Sequence, residues 1–156
     1  MLQLCYASTR IEAEQDLLAD LSDILAVARK FNLSQQIVGV LYYAEGYFFQ
    51  CLEGDAKLLN ALFQKISQDP RHHNVFRFPD REIETSHFQA WSMKYVHKHS
   101  EIANLFHTLG LENFQPHQLE SQHLAKFLKI LYSVDENHKQ LVSSQGYKKR
   151  GYLPYF

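Results

Sequence analysis

The stretch QIVGVLYYAEGYFFQCLEGD, residues 36–55, decides the architecture. Its first half is rich in β-branched and aromatic residues, and Glu45-Gly46 has the composition of a tight turn. A second apolar run, YFFQCLE, follows, so the pattern predicts a β-hairpin. In the second arm Phe48, Gln50 and Leu52 share one face, and Tyr47, Phe49 and Cys51 share the other. Upstream, residues 2–8, LQLCYAS, alternate with Leu2, Leu4, Tyr6 and Ser8 on one side, the period of a strand. Between that strand and the hairpin the period changes. Leu17, Leu18, Leu21, Ile24, Leu25 and Ala28 fall at the spacing of a helix with one buried stripe, and Asp16, Asp20, Asp23 and Arg29 are expected on its opposite side.

Downstream of the hairpin, Asp55 is placed to cap a second helix carrying Leu58, Leu59, Leu62, Phe63 and Ile66, and Asp69-Pro70 ends it. Two further strands are expected near 75–85 and 87–96. The order βαββαββ predicts an α+β ferredoxin-like sandwich with both helices on one sheet face. The other face needs a cover, and two helical stripes supply it. Ile102, Leu105, Phe106 and Leu109 form one; Leu124, Phe127, Leu128 and Leu131 form the other. The organisation expected is therefore a first unit over 1–97, a helical cap over 98–143, and a basic, aromatic tail over 144–156.

Composition excludes several classes. Of 156 residues 46% are hydrophobic and 21% charged, which suits a packed globular domain. The formal net charge of −1 lacks the electrostatic footprint of a general nucleic-acid binder. No apolar run approaches a membrane span, and Arg10, Glu12 and Glu14 interrupt any leader-like core. Two cysteines, Cys5 and Cys51, are too few for a disulfide framework, so a cytoplasmic location is expected.

The chemistry shows where polar residues occupy apolar positions. Tyr6 and Gln50 both lie on the helix-facing side of strands that neighbour each other in this fold. A buried carboxamide costs roughly 1–3 kcal/mol if its donors and acceptor go unpaired. Two readings stay open here: a structural Tyr–Gln hydrogen bond, or a pair that reads the polar edge of a ligand.

The same residues resemble a family, the BLUF domains, which are blue-light sensors using FAD. The resemblance covers about residues 2–97. It rests on Tyr6, Asn32, IVGVLYY, FFQCLEG with Gln50, RHH from Arg71 to His73, and FQAWSM ending in Met93. The pattern is most similar to short stand-alone members. It implies noncovalent FAD, with Tyr6 as electron and proton donor and Gln50 as the amide that reorganises. Asn32 would bond the ring edge, Ile24 and Ile66 would sandwich the ring, and Arg71 and His72 would lie near the ribityl and phosphate part. Trp91 and Met93 would relay the change outward. Phe31 departs from the polar residue many members carry beside the asparagine. The implied output is non-enzymatic: a light-dependent contact with a protein partner, a transcriptional regulator, made by a monomer or weak oligomer without membrane or direct nucleic-acid binding.

Other features have plainer readings. His97, His99 and His107 lack an acidic second shell and do not make a metal site. Cys5 and Cys51 are expected on the far sheet face as buried thiols. An RNA-recognition module is the rival reading, with Tyr47 and Phe49 as stacking platforms on an open sheet face. A hydrolase of acylphosphatase type would need a Gly-rich anion loop after the first strand, and STRIEAEQ has none.

Overall fold

The computed structural model describes residues 1–12, 16–89 and 91–134. The hairpin forms as its sequence predicts, with β2 over Val38–Ala44 and β3 over Tyr47–Gly54. Glu45 and Gly46 take φ of 53° and 89°, the pair of positive values that a two-residue turn needs to match the twist of its strands. Strand β1, Leu2–Arg10, lies antiparallel to β3, with Cys5 opposite Cys51 and Tyr6 opposite Gln50. Helix α1, Leu17–Ser34, starts at Asp16, whose carboxylate accepts from the Ala19 amide. Helix α2, Ala56–Ser67, starts at Asp55, which accepts from the Lys57 and Leu58 amides. Both caps satisfy amides that a helix start leaves unpaired.

Strands β4 (His72–Arg77), β5 (Arg81–Glu82) and β6 (Lys94–His97) complete a sheet of order β4-β1-β3-β2-β6, with β5 also pairing β1. This is the ferredoxin-like α+β sandwich, with β6 added parallel to β2. The strand limits differ from those expected. The run 75–85 breaks after Arg77, because Pro79 has no N–H to continue a ladder. The run 87–96 shrinks to Lys94–His97. Its first part is held by a side chain instead: the Glu53 carboxylate accepts from the amides of His87 (2.6 Å) and Phe88 (3.4 Å).

One sheet face packs Leu4, Tyr6, Phe48 and Leu52 against Ile24, Leu25, Leu59 and Ile66 of α1 and α2. The other packs Tyr42, Phe49 and Cys51 against the C-terminal cap, built from α3 (Ser100–Thr108), a 3-10 turn (Pro116–Gln118) and α4 (Ser121–Ser133). Ile102, Phe106, Leu124, Phe127, Leu128 and Leu131 are buried there as their spacing predicts, and Leu105 and Leu109 pack at the margin. Phe127 meets Phe49 edge-on at 4.7 Å and Tyr42 at 5.7 Å. Polar ties fix the end of α4: the buried Lys94 ammonium donates to the Leu131 carbonyl at 3.0 Å, where the helix dipole favours a cation. Gln3 Nε2 donates to the Tyr132 hydroxyl at 3.1 Å.

Two residues expected on the outer side of α1 are engaged inward. Asp20 is buried and pairs with Arg10 at 2.9 Å, and Arg29 donates to the Met93 carbonyl at 3.0 Å. The end of β1 and the chain before β6 lie along the flanks of α1, so its covered arc is wider than its apolar stripe. The expected tail, 144–156, and the end of the cap, 135–143, lie outside the described residues.

Candidate functional site

Beneath α1 and α2, Tyr6 and Gln50 face each other with no solvent exposure. The Tyr6 hydroxyl donates to Gln50 Oε1 at 2.6 Å, and Gln50 Nε2 is aimed at Met93 Sδ, 3.6 Å away. Burial, reinforced by the Asp69 carboxylate and opposed by Arg71, pushes the Tyr6 phenol well above its ordinary value of 10. It therefore stays protonated and is the donor in this bond. Phe63 of α2 packs on its ring at 5.5 Å between centroids.

Helix α1 grips the segment that carries the sulfur. Asn32 Nδ2 donates to the Ser92 carbonyl at 2.8 Å, one residue before the Arg29–Met93 contact. Ile24 and Ile66 are fully buried in the same cluster as Tyr6 and Met93, one from each helix. The structure thus gathers Tyr6, Gln50, Asn32, Ile24, Ile66 and Met93 in one place.

Of the other expected site residues, His72 borders that group, its ring edge-on to Tyr6 at 6.2 Å between centroids. Arg71 lies near enough to act on the Tyr6 phenol, and Trp91 packs on the opposite sheet face. Arg71 forms a two-point ion pair with Asp69, at 2.7 and 3.1 Å. His72 is buried, and both ring nitrogens bond within the protein: Nε2 to the Ile66 carbonyl at 2.7 Å and Nδ1 to Ser8 Oγ at 2.8 Å. A carbonyl only accepts, so Nε2 carries the proton and Nδ1 accepts from the serine. Burial lowers the His72 pKa, consistent with a neutral ring that ties the end of α2 to β1. Trp91 packs toward the capped face, opposite to Met93, because 91–93 is not regular strand and side-chain alternation lapses there.

Sequence reasoning missed Ser8 and Arg29. Ser8 carries the signal that singled out Tyr6, a polar residue on the helix-facing side of β1. Arg29 carries none, since only the course of the chain before β6 brings its partner within reach. The three histidines do separate work: His97 stacks on Tyr43, His99 Nδ1 accepts from the Glu101 amide at α3, and His107 bonds the Glu112 carbonyl. The RNA-recognition reading fails on position, because Phe49 is fully buried under the cap and Tyr47 packs against His117.

The donor set suits a flavin. Two carboxamides and a phenol offer both donors and acceptors to a heterocyclic edge of carbonyls and ring nitrogens, and two isoleucines offer apolar contact to its faces. A metal ion would call for carboxylates, imidazoles or thiolates, and this group contains none.

The comparisons agree with this chemistry. Residues 1–94 match the family described as BLUF, sensors of blue-light using FAD. The fold is similar to that of BlsA in its photo-activated state, with a TM-score of 0.84 and 45% identity over 87% of this chain and 97% of that one. It is also similar to the dark state of BlrB, a BLUF protein, at TM-score 0.71 and 29% identity over 85% of this chain and 95% of that one. The blue light- and temperature-regulated antirepressor BluF of Escherichia coli is 23% identical over 100 residues, 61% of this chain and 25% of that protein. The photoactivated adenylate cyclase subunit alpha of Euglena gracilis is 34% identical over 95 residues, 61% of this chain and 9% of that protein. The chain thus spans a quarter or less of the length of these two relatives. With well over half of its residues inside the family match, this chain belongs to the BLUF family of blue-light sensors.

Proposed function

We propose that this chain is a non-enzymatic blue-light photoreceptor that binds one FAD noncovalently and signals by changing a protein contact. The observation that carries the reading is the buried chain Tyr6–Gln50–Met93, with bonds of 2.6 and 3.6 Å, lying among Ile24, Ile66 and Asn32. Ile24 and Ile66 would hold the two faces of the ring, Asn32 would bond its edge, and Arg71, with His72 fixing its position in the chain, would lie toward the phosphates. The bound flavin supplies absorption of blue light and an excited state able to oxidise a phenol.

Tyr6 suits the donor role because its proton has somewhere to go. A phenol that loses an electron becomes a strong acid, and the short bond delivers the proton to Gln50 Oε1. Recombination would return the electron and a proton to the Tyr6 phenol, so no net oxidation remains, while the amide is left rotated or tautomerised and Nε2 ceases to face Met93 Sδ. That contact is long and made to a weak acceptor, so breaking it costs little. A few hydrogen bonds at roughly 0.5–1.5 kcal/mol each suffice to bias a two-state element. Met93 immediately precedes Lys94, which holds the end of α4. Trp91 packs on the capped face, so a shift of this segment reaches the cap from two sides.

Residues 1–97 would sense, 98–143 would receive the change, and 144–156 would carry it to a partner. The antirepressor among the relatives favours a transcriptional regulator as that partner, reached in the cytoplasm by a monomer or weak oligomer. Absorption spectra of the purified protein before and after blue illumination test the reading. The expected result is a yellow protein with a small, reversible red shift. A protein that takes up no flavin, or whose bound flavin does not respond, overturns it.

A further inference from the structure

Cys5 and Cys51 are the chain's two cysteines, both buried and free, and they stand opposite each other on β1 and β3. The next rung is Tyr6 and Gln50. The kind of rung follows from the backbone. The Cys5 carbonyl accepts from the Phe78 amide at 2.9 Å, so the polar groups of Cys5 point away from β3. The Arg10 amide donates to the Gly46 carbonyl at the far end of the same ladder. Counting inward from that bonded rung makes Tyr6–Gln50 a hydrogen-bonded pair and Cys5–Cys51 a non-hydrogen-bonded one.

Non-hydrogen-bonded rungs bring Cα atoms to about 4.5 Å, at the close end of the roughly 4.4–6.8 Å that disulfides span. A bridge at that spacing needs no large movement of β1 against β3. The two residues are directly opposite, and burial first, then the neighbouring Cys5 thiol, push the Cys51 thiol well above its ordinary value. Thiolate is therefore scarce while the cap covers the pair, which protects it from brief exposure to oxidants.

We infer that Cys5 and Cys51 form a reversible redox pair that a peroxide converts to a cross-strand disulfide beside the Tyr6–Gln50 bond. One thiolate attacks a peroxide oxygen, breaking the O–O bond and giving a sulfenic acid and hydroxide. The second thiol attacks that sulfur, the S–S bond forms, and water leaves. The proton from the first thiol neutralises the hydroxide. Two thiols are oxidised by two electrons, and one hydrogen peroxide is reduced to two waters. The bridge fixes the spacing of β1 and β3 one rung from the photochemical pair, so oxidation tunes the same hydrogen bond that light rearranges.

The test uses the native full chain with its flavin, held in hydrogen peroxide until the thiol content is constant, then alkylated and digested without reductant. The expected product is a monomer two hydrogens lighter, with the Cys5 and Cys51 peptides cross-linked and released by dithiothreitol. Two alkylated thiols, a sulfinic acid without a cross-link, or a link between two chains overturns the inference. The effect on light sensing rests on the proposed photoreceptor function and is read separately: dark recovery of the red-shifted form should change by at least about twofold on oxidation and return on reduction. A Cys51→Ala variant should show neither effect. Unchanged recovery in the cross-linked protein overturns the coupling to Tyr6–Gln50, whereas the cross-link itself stands or falls without any flavin response.

Discussion

The two faces of this sheet are made from the same strands and are built on opposite plans. Toward the cap, β1, β2 and β3 send Cys5, Tyr42, Phe49 and Cys51 into a cluster where ring packs on ring around Phe127. Toward α1 and α2, the alternate residues include Tyr6 and Gln50, polar groups buried among aliphatic ones. An aromatic cluster is stabilised by each ring contact it makes. A buried phenol and amide are tolerated only when paired, and a pair can be re-paired at small cost. The first plan holds the molecule together, and the second carries the switch proposed above.

The largest effect expected from breaking this contrast comes from Phe127→Ala. Emptying the centre of the aromatic face should cost about 3–5 kcal/mol of unfolding free energy, measured in urea, while the protein that remains folded keeps its Tyr6-dependent light response. Little loss of stability would mean that the cap is held by something other than this cluster.

A smaller loss is expected at the polar edge of the same face. Glu53 is fully buried and accepts from Gln3, from the His87 ring and from two backbone amides. Glu53→Gln places an NH2 where one of those donors needs an oxygen. It should cost about 1–3 kcal/mol in thermal or urea unfolding. An unchanged midpoint would show that the loop before β6 is held without it.

The smallest effect expected is in the pH dependence, and it belongs to the switching face. Burial lowers the folded-state pKa of His72 below its unfolded value of about 6.5. The unfolded chain then takes up the proton first. The contribution of His72 is present in full above about pH 6.5 and is lost as the pH falls toward the lowered folded value. Burial, with Lys98, acts on His97 in the same direction. Urea midpoints should therefore fall between about pH 7.5 and about pH 5.5, and less steeply in His72→Gln. A midpoint that rises on acidification would contradict the neutral ring assigned here.

Legibility in the sequence followed the same division. The hairpin, the Asp55 cap and the helices over the far face were readable because each rests on local chemistry: a two-residue turn, an aspartate before an apolar run, a 3.6-residue period. Asp16, expected on the outer side of α1, caps it instead. Tyr6 and Gln50 were readable as polar residues at the wrong phase of a strand. What escaped depends on contacts distant in sequence. The run 87–96 was expected as a strand, yet Glu53 takes the amides of His87 and Phe88, and pairing begins at Lys94. Asp20 and Arg29 look like solvent-facing charges until Arg10 and the Met93 carbonyl arrive beside them. The opposite directions of Trp91 and Met93 follow from the same irregular segment.

The central claim is that the Tyr6–Gln50 bond on the switching face is the light-sensitive element. The most direct measurement is the light-minus-dark absorption difference of Tyr6→Phe beside the native chain. The substitution keeps the ring that packs on Phe63 and removes only the hydroxyl that donates at 2.6 Å. The expected result is a folded, flavin-containing variant with no red shift under illumination that shifts the native chain. A variant that shifts and recovers like the native protein would contradict it.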